Sequence, residues 1–211
     1  MATDLPRAVI VRGLTRSFDG RAVVDGLDLS LPAGQFAALL GPAGCGRSTL
    51  LRVLAGYDRE VGGTVLVPRR RALVARAPRL LPWKRARHGT PPGPAGRRVS
   101  LDRALARDPD LLLLDDPFGS PDARAASAAR RRVREWWERG GRTVLLVTDD
   151  VDEALLLADR VLVMRGGVVA YDAPVALDRP RSPADPAFAA RRARLLAALG
   201  AAADSPVPRA A

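Results

Sequence analysis

The stretch that most limits what this chain can fold into is Gln35 to Ala55. It reads Gln-Phe-Ala-Ala-Leu-Leu, then Gly41-Pro-Ala-Gly-Cys-Gly-Arg-Ser48, then Thr-Leu-Leu-Arg-Val-Leu-Ala. An apolar run of strand length feeds a glycine-rich turn, and the turn opens a segment with helical periodicity. This is the layout of a loop that cradles phosphate. Gly41, Gly44 and Gly46 permit the turns that bring backbone N–H groups close to one anion. The helix that follows adds the positive end of its dipole. Gly41, Pro42, Ala43, Gly44, Cys45, Gly46, Arg47, Ser48 and Thr49 are the candidate phosphate contacts. Ser48 has the hydroxyl that such loops use on Mg²⁺. One position departs from the motif, which calls for lysine where Arg47 stands.

Around this stretch, strands and helices alternate. Residues 8–12 and 22–31 read as strands, with Ser17-Phe18-Asp19-Gly20 as the turn between them. Gly62-Gly63 precedes a short strand at 64–67, and 73–75 forms another. Residues 78–96 are rich in proline, glycine and basic side chains and read as loop. The lone histidine, His88, lies there without a His or Cys partner at metal-ligand spacing. A helix is predicted over 97–107, and the Leu111–Leu114 run forms a buried strand. Asp122 caps a helix running to Arg139, and 143–147 forms a second buried strand. A short helix over 151–158, a hairpin across Gly166-Gly167 and a last helix from Asp185-Pro186 to Gly200 follow. The pattern predicts an α/β domain with an antiparallel N-terminal portion.

Composition narrows the partners. At 211 residues the chain is long enough for one real core, and Cys45, its only cysteine, excludes an internal disulfide. A reducing compartment is expected. The N-terminal residues lack the apolar core of a signal peptide, and no apolar run approaches the ~18 residues that span a membrane. A membrane role is therefore expected to come through a partner. The net charge is +11, but Lys84 is the only lysine and asparagine is absent. Arginine supplies generic surface charge, and the basic residues are scattered apart from two Arg triplets, at 69–71 and 130–132. No nucleic-acid partner is expected.

A second chemical feature is Leu111–Leu114 followed by Asp115-Asp116-Pro117. An acid at the end of a buried apolar strand can face the metal on a neighbouring phosphate loop. Asp115 would hold Mg²⁺ through water, and Asp116 would orient an attacking water.

These motifs, in this order, resemble the ATP-binding subunit of bacterial ABC importers of the nitrate, sulfonate and taurine type. The resemblance rests on Leu27-Asp28-Leu29, the loop from Gly41 to Arg52, and Pro78-Arg-Leu-Leu-Pro-Trp83. It continues through Arg103 to Asp115, Pro117-Phe-Gly-Ser120, Thr143 to Thr148, Asp150 to Ala154 and Ala158-Asp-Arg-Val161. The Arg-Leu-Leu-Pro-Trp stretch points to the aliphatic sulfonate branch. The resemblance implies a P-loop NTPase core, ATP and Mg²⁺ as cofactors and a cytoplasmic location at the membrane face. It further implies a second nucleotide-binding subunit and a permease as partners. Phe18 matches the aromatic that stacks on adenine, Arg47 the phosphate lysine, and Arg76 the glutamine that senses the γ-phosphate and the metal. Residues 1–179 would be the nucleotide-binding domain, and 180–211 a C-terminal helix with a disordered tail.

The departures from the family fall on the catalytic positions. Asp116 replaces the catalytic glutamate and is one methylene shorter. Asp149 replaces the switch histidine and, when ionised, can only accept hydrogen bonds. Pro91-Pro92-Gly93-Pro94-Ala95 stands where the signature loop belongs, and Pro121 interrupts the loop after Ser120. Seven residues, Lys84 to Thr90, replace an entire helical subdomain, so 84–96 is read as an irregular loop. Arg76 and Asp149 would both border the γ-phosphate; they are either two unrelated drifted surface residues or a pair across an empty γ site, which would favour ADP. The reading is thus a nucleotide-binding subunit whose hydrolysis is weak or lost. The alternative is a non-catalytic relic or regulatory nucleotide-binding module.

Overall fold

The computed structural model describes residues 7–75, 94–119 and 122–200. The first elements are β1 (Arg7–Phe18), β2 (Arg21–Pro32) and β3 (Phe36–Leu40), then α1 (Arg47–Ala55). Next come β4 (Gly62–Leu66), β5 (Arg71–Val74), α2 (Pro94–Ala106), β6 (Leu111–Asp115) and α3 (Ala123–Glu138). The chain closes with β7 (Thr143–Val147), α4 (Val151–Leu157), β8 (Arg160–Arg165), β9 (Val168–Pro174) and α5 (Pro186–Gly200).

The strands form two sheets. One is antiparallel, in the order β2-β1-β4; the other runs β5-β6-β7-β3-β8-β9. In the second, all neighbours are parallel except β9, which pairs antiparallel with β8 at the edge. The predicted α/β domain with an antiparallel N-terminal portion is what the chain forms.

β3 shows how the core is divided. Strand side chains alternate between faces. Phe36, Ala38 and Leu40 pack with Leu101, Val133, Trp136, Ala154 and Phe188 from α2 to α5. Ala37 and Leu39 pack on the other face with Leu50, Leu51 and Leu54 of α1 and with Leu14, Leu27 and Leu31 of the antiparallel sheet. All five β3 residues are buried, so the strand that launches the phosphate loop is the centre of the molecule.

Several boundaries differ from the sequence reading. β1 runs through to Phe18, which ends a strand and does not sit in the turn. Pairing with β2 on one side and β4 on the other carries β1 across its bulges. Gly62 and Gly63 lie inside β4, not before it. Gly63 has φ 86 and packs against the Gly13 and Arg12 carbonyls, an approach that any Cβ would block. α2 begins at Pro94, so the loop predicted over 84–96 ends earlier than expected. Proline at the first helical position sacrifices no hydrogen bond. Asp122 caps α3 as predicted, its carboxylate accepting from the Arg124 and Ala125 N–H groups.

Candidate functional site

Ligand sites in open parallel sheets lie at the carboxyl ends of strands, where strand order reverses. Here that place is the end of β3, between β7 and β8. Asp115 of β6 pairs in register with Val147 of β7, and Val147 with Leu39 of β3. The ends of three adjacent strands therefore bring together Asp115, the Thr148-Asp149 pair and the loop that starts at Gly41. None of these groups is close in sequence to another.

The loop has the shape expected from its glycines. Gly41, Gly44 and Gly46 have φ of 151, 80 and 105. A Cβ at Gly41 would overlap the Met164 carbonyl oxygen of β8 and lie 2.9 Å from Cys45 Sγ. At Gly46 it would meet the Val23 carbonyl at 2.7 Å. Gly46 is the N-cap of α1, no side chain caps the helix, and its first turn contains no acid. Uncapped N–H groups of this kind suit an external anion. Pro42 and Ala43 form the outer turn, with the Cys45 N–H donating to the Pro42 carbonyl at 3.3 Å. Cys45 and Thr49 are buried beneath it. Burial also pushes the Cys45 thiol up from its ordinary pKa.

Ser48 Oγ donates to Asp115 Oδ1 at 3.2 Å. One hydroxyl and one carboxylate meeting beside a phosphate cradle fit Mg²⁺, which keeps several waters and few protein ligands. Among the described residues no group of three or more His, Cys, Asp or Glu is placed to hold a metal ion.

Arg47 lies against Cys45 of its own loop and also reaches across to the end of β7. Its Nη1 donates to the Thr148 carbonyl at 2.9 Å and lies 2.6 Å from Asp149 Oδ1. The Arg47 side chain is 11% exposed and that of Asp149 is 64% exposed. Among the described residues Asp149 pairs with Arg47; Arg76, the other partner considered from the sequence, lies outside the described residues. The physical reason for the Arg47 pairing is strand order, which sets β7 directly beside β3. Asp149 also borders a cleft of about 240 Å³ with Leu40, Gly41, Pro42, Ala43 and Leu199.

Asp116 adopts φ 46, a left-handed conformation that costs a non-glycine residue of order 1–3 kcal/mol. Its N–H donates to the Val147 carbonyl at 2.9 Å, which ties it to β7. Its carboxylate lies beside Gly119. Phe18 is 41% exposed, and the Arg16 guanidinium stacks 4.3 Å from the ring centroid. Arg16 is held in turn by Asp58 at 2.9 Å and Glu60 at 3.2 Å. One ring face is thus covered before any base arrives. His88, residues 91–93 of the signature remnant, Ser120, Pro121 and the tail after Gly200 also lie outside the described residues.

Three participants escaped the sequence reading. Thr148 offers its carbonyl to Arg47, and its Oγ1 accepts from the Asp150 N–H at 3.1 Å. Leu199 of α5 reaches the phosphate-loop cleft. Glu153 is buried, 3.4 Å from Arg130, on a helix where five of seven residues are buried. Its placement among Val151, Ala154 and Leu155 was the available signal. Burial first, then the Asp150 and Asp116 charges, raise its pKa from 4.5 to about 7, against opposing pulls from Thr148 and Arg130.

That shift predicts a pH dependence. Between pH 4.5 and about 7 the folded chain keeps a proton that the unfolded chain releases. The contribution, up to about 3 kcal/mol, is fully present below 4.5 and is lost as pH rises through about 7. Urea unfolding at pH 5 and pH 8 checks it. Glu153→Gln should gain on the parent chain by up to that amount on going from pH 5 to pH 8. Parallel stability profiles for the two proteins would refute the shift.

Comparison with known proteins agrees with this geometry. The ABC transporter family profile matches residues 24–87. Aliphatic sulfonates import ATP-binding protein SsuB 1 of Streptomyces avermitilis is 52% identical over 231 residues, covering 94% of this chain and 89% of that protein. SsuB 2 of Paracoccus denitrificans is 48% identical over 240 residues, covering 96% and 98%. Both alignments are longer than the 211 residues of this chain, so they cross stretches the relatives have and it lacks. Among solved structures, a dimeric ATP-binding cassette in a post-hydrolysis state, bound to ADP and phosphate, gives a TM-score of 0.70 at 18% identity. That match covers 81% of this chain and 100% of the other. A nucleotide-free cassette from an ABC transporter gives 0.68 at 18% identity, covering 80% and 91%. The fold is therefore that of an ATP-binding cassette, a P-loop NTPase. Within that class, the chain belongs to the ATP-binding subunits of aliphatic sulfonate ABC importers.

Proposed function

We propose that this chain binds ATP-Mg as the nucleotide-binding subunit of a sulfonate-type importer, with hydrolysis weak or lost. Residues 41–49 would hold the phosphates, Ser48 and Asp115 the metal, and the open face of Phe18 the base. Bound Mg²⁺ would neutralise phosphate charge. The observation that carries the loss of hydrolysis is the Arg47–Asp149 contact, which commits the loop's cation to a carboxylate of the neighbouring strand end. A guanidinium in that fork is not a compact ammonium that follows a phosphate. Asp116 supports the same reading. A carboxylate one methylene short misplaces its oxygen by about 1 Å, enough to cost roughly a hundredfold in rate.

Residues 1–179 form the nucleotide-binding domain in this reading, and the C-terminal helix and tail begin at 180. The permease and a second nucleotide-binding subunit are the partners the relatives suggest, at the cytoplasmic face of a membrane. No described helix is long and apolar enough to cross one. The seven residues between Trp83 and Pro91 leave no room for a helical subdomain, which weakens docking and closure.

Magnesium-dependent phosphate release from the purified chain tests the reading. Release should stay near background, and Arg47→Lys should change it by less than about threefold, because Asp116 and Asp149 remain. A single Arg47→Lys change that raised turnover about a hundredfold would show one lesion, not several.

A further inference from the structure

The phosphate loop has one cationic side chain, Arg47, and that cation already has an anion. The contact is close, 2.6 Å, and a second hydrogen bond from the same nitrogen to the Thr148 carbonyl fixes the guanidinium at the end of β7. Among the described residues, Asp149 is also the only charged one lining the cleft formed by Gly41, Pro42 and Ala43. The carboxylate therefore lines the approach to the loop and is mostly exposed, whereas its counter-ion Arg47 is largely buried.

A phosphate chain entering this site meets two opposed demands. Backbone N–H groups at the start of α1 attract it without regard to Arg47. Each added phosphate then brings more negative charge toward Asp149, and like charges at close range repel strongly near a protein surface. A longer chain must either tolerate that repulsion or displace Asp149 from Arg47. A shorter chain needs neither.

We propose that Asp149 is a specificity residue that makes this site select nucleoside diphosphates over triphosphates, its carboxylate standing against Arg47 where a terminal phosphate would bind. The proposal rests on the nucleotide-binding reading given above. It makes the Arg47 and Asp149 departures one paired feature of the site instead of two separate losses.

Calorimetric titration of the full chain with MgADP and MgATP tests it, in the parent protein and in Asp149→Asn. Asparagine keeps the size and removes the charge; a melting curve measures what Arg47 loses without its carboxylate, and both proteins are titrated well below their melting temperatures. The parent should bind MgADP at least ~10-fold more tightly than MgATP. Asp149→Asn should bring the two within about threefold, chiefly by tightening MgATP. Equal or tighter MgATP binding in the parent overturns the proposal and leaves nucleotide binding intact. So does a parent-like preference in Asp149→Asn. If neither nucleotide binds either protein, the nucleotide reading itself falls, and the proposal with it.

Discussion

Gly41→Ala is expected to abolish nucleotide binding and to destabilise the chain by about 3 kcal/mol or more. Two costs combine. At φ 151 a side chain is strained whatever the space, at roughly 1–3 kcal/mol. The new methyl would also overlap the Met164 carbonyl of β8, and forced overpacking costs a further 1–3 kcal/mol or so. The carbonyl belongs to β8, which is paired with β3 and β9, so it cannot retreat without disturbing that pairing. The loop must move instead, and with it every N–H aimed at a phosphate. Gly44→Ala is the control, since nothing lies within 4 Å of its Cβ and only the φ of 80 opposes it. Urea unfolding and nucleotide titration of both variants check the prediction. Equal losses at Gly41 and Gly44 would show that the contact with β8 does not shape the loop.

Phe36→Ala is expected to remove about 3–5 kcal/mol of stability. Phe36 is fully buried at the start of β3, between β7 and β8. Its ring meets Trp137 edge-on, with centroids 5.7 Å apart and an interplanar angle of 75°. Such pairs contribute about 0.5–1.5 kcal/mol beyond the area they bury. Trp137 in turn donates from its indole N–H to the Gly34 carbonyl at 2.9 Å, holding the turn that leads into β3. Truncation would leave a cavity and loosen the clamp on the strand that carries the phosphate loop. Against a total of roughly 5–15 kcal/mol for a domain, the variant would stand near unfolding. Chemical denaturation measures the loss, and Phe36→Leu should lose less. A loss under about 1 kcal/mol would mean that the core can collapse around the site.

Much of this molecule was readable from local chemistry. Leu111–Leu114 announced a buried strand, and all four residues have no exposed surface. Asp122 announced a helix start, and it caps one. These succeed because caps and short apolar runs act over a few residues. The errors have the opposite character. Phe18 was placed in a turn because the run from Ser17 to Gly20 has turn chemistry, yet pairing with β2 keeps it in a strand. Gly62 and Gly63 look like a turn, but their role is to let β4 approach the backbone of β1. Sheet partners are invisible in a local window.

The chain by itself determined the strand–loop–helix layout of Gln35 to Ala55, because glycine at positive φ and an uncapped helix start are local requirements. It also determined that Ser48 and Asp115 are candidate metal ligands, since each has its motif around it. Only the tertiary structure decided what Arg47 touches. Its partners lie 101 and 102 residues away, at the end of a strand that becomes its neighbour only through the order β6-β7-β3. Against the family it resembles, the sequence has an arginine in the place of a lysine and an aspartate in the place of a histidine. Strand order placed those charges 2.6 Å apart, and so turned two departures into one ion pair.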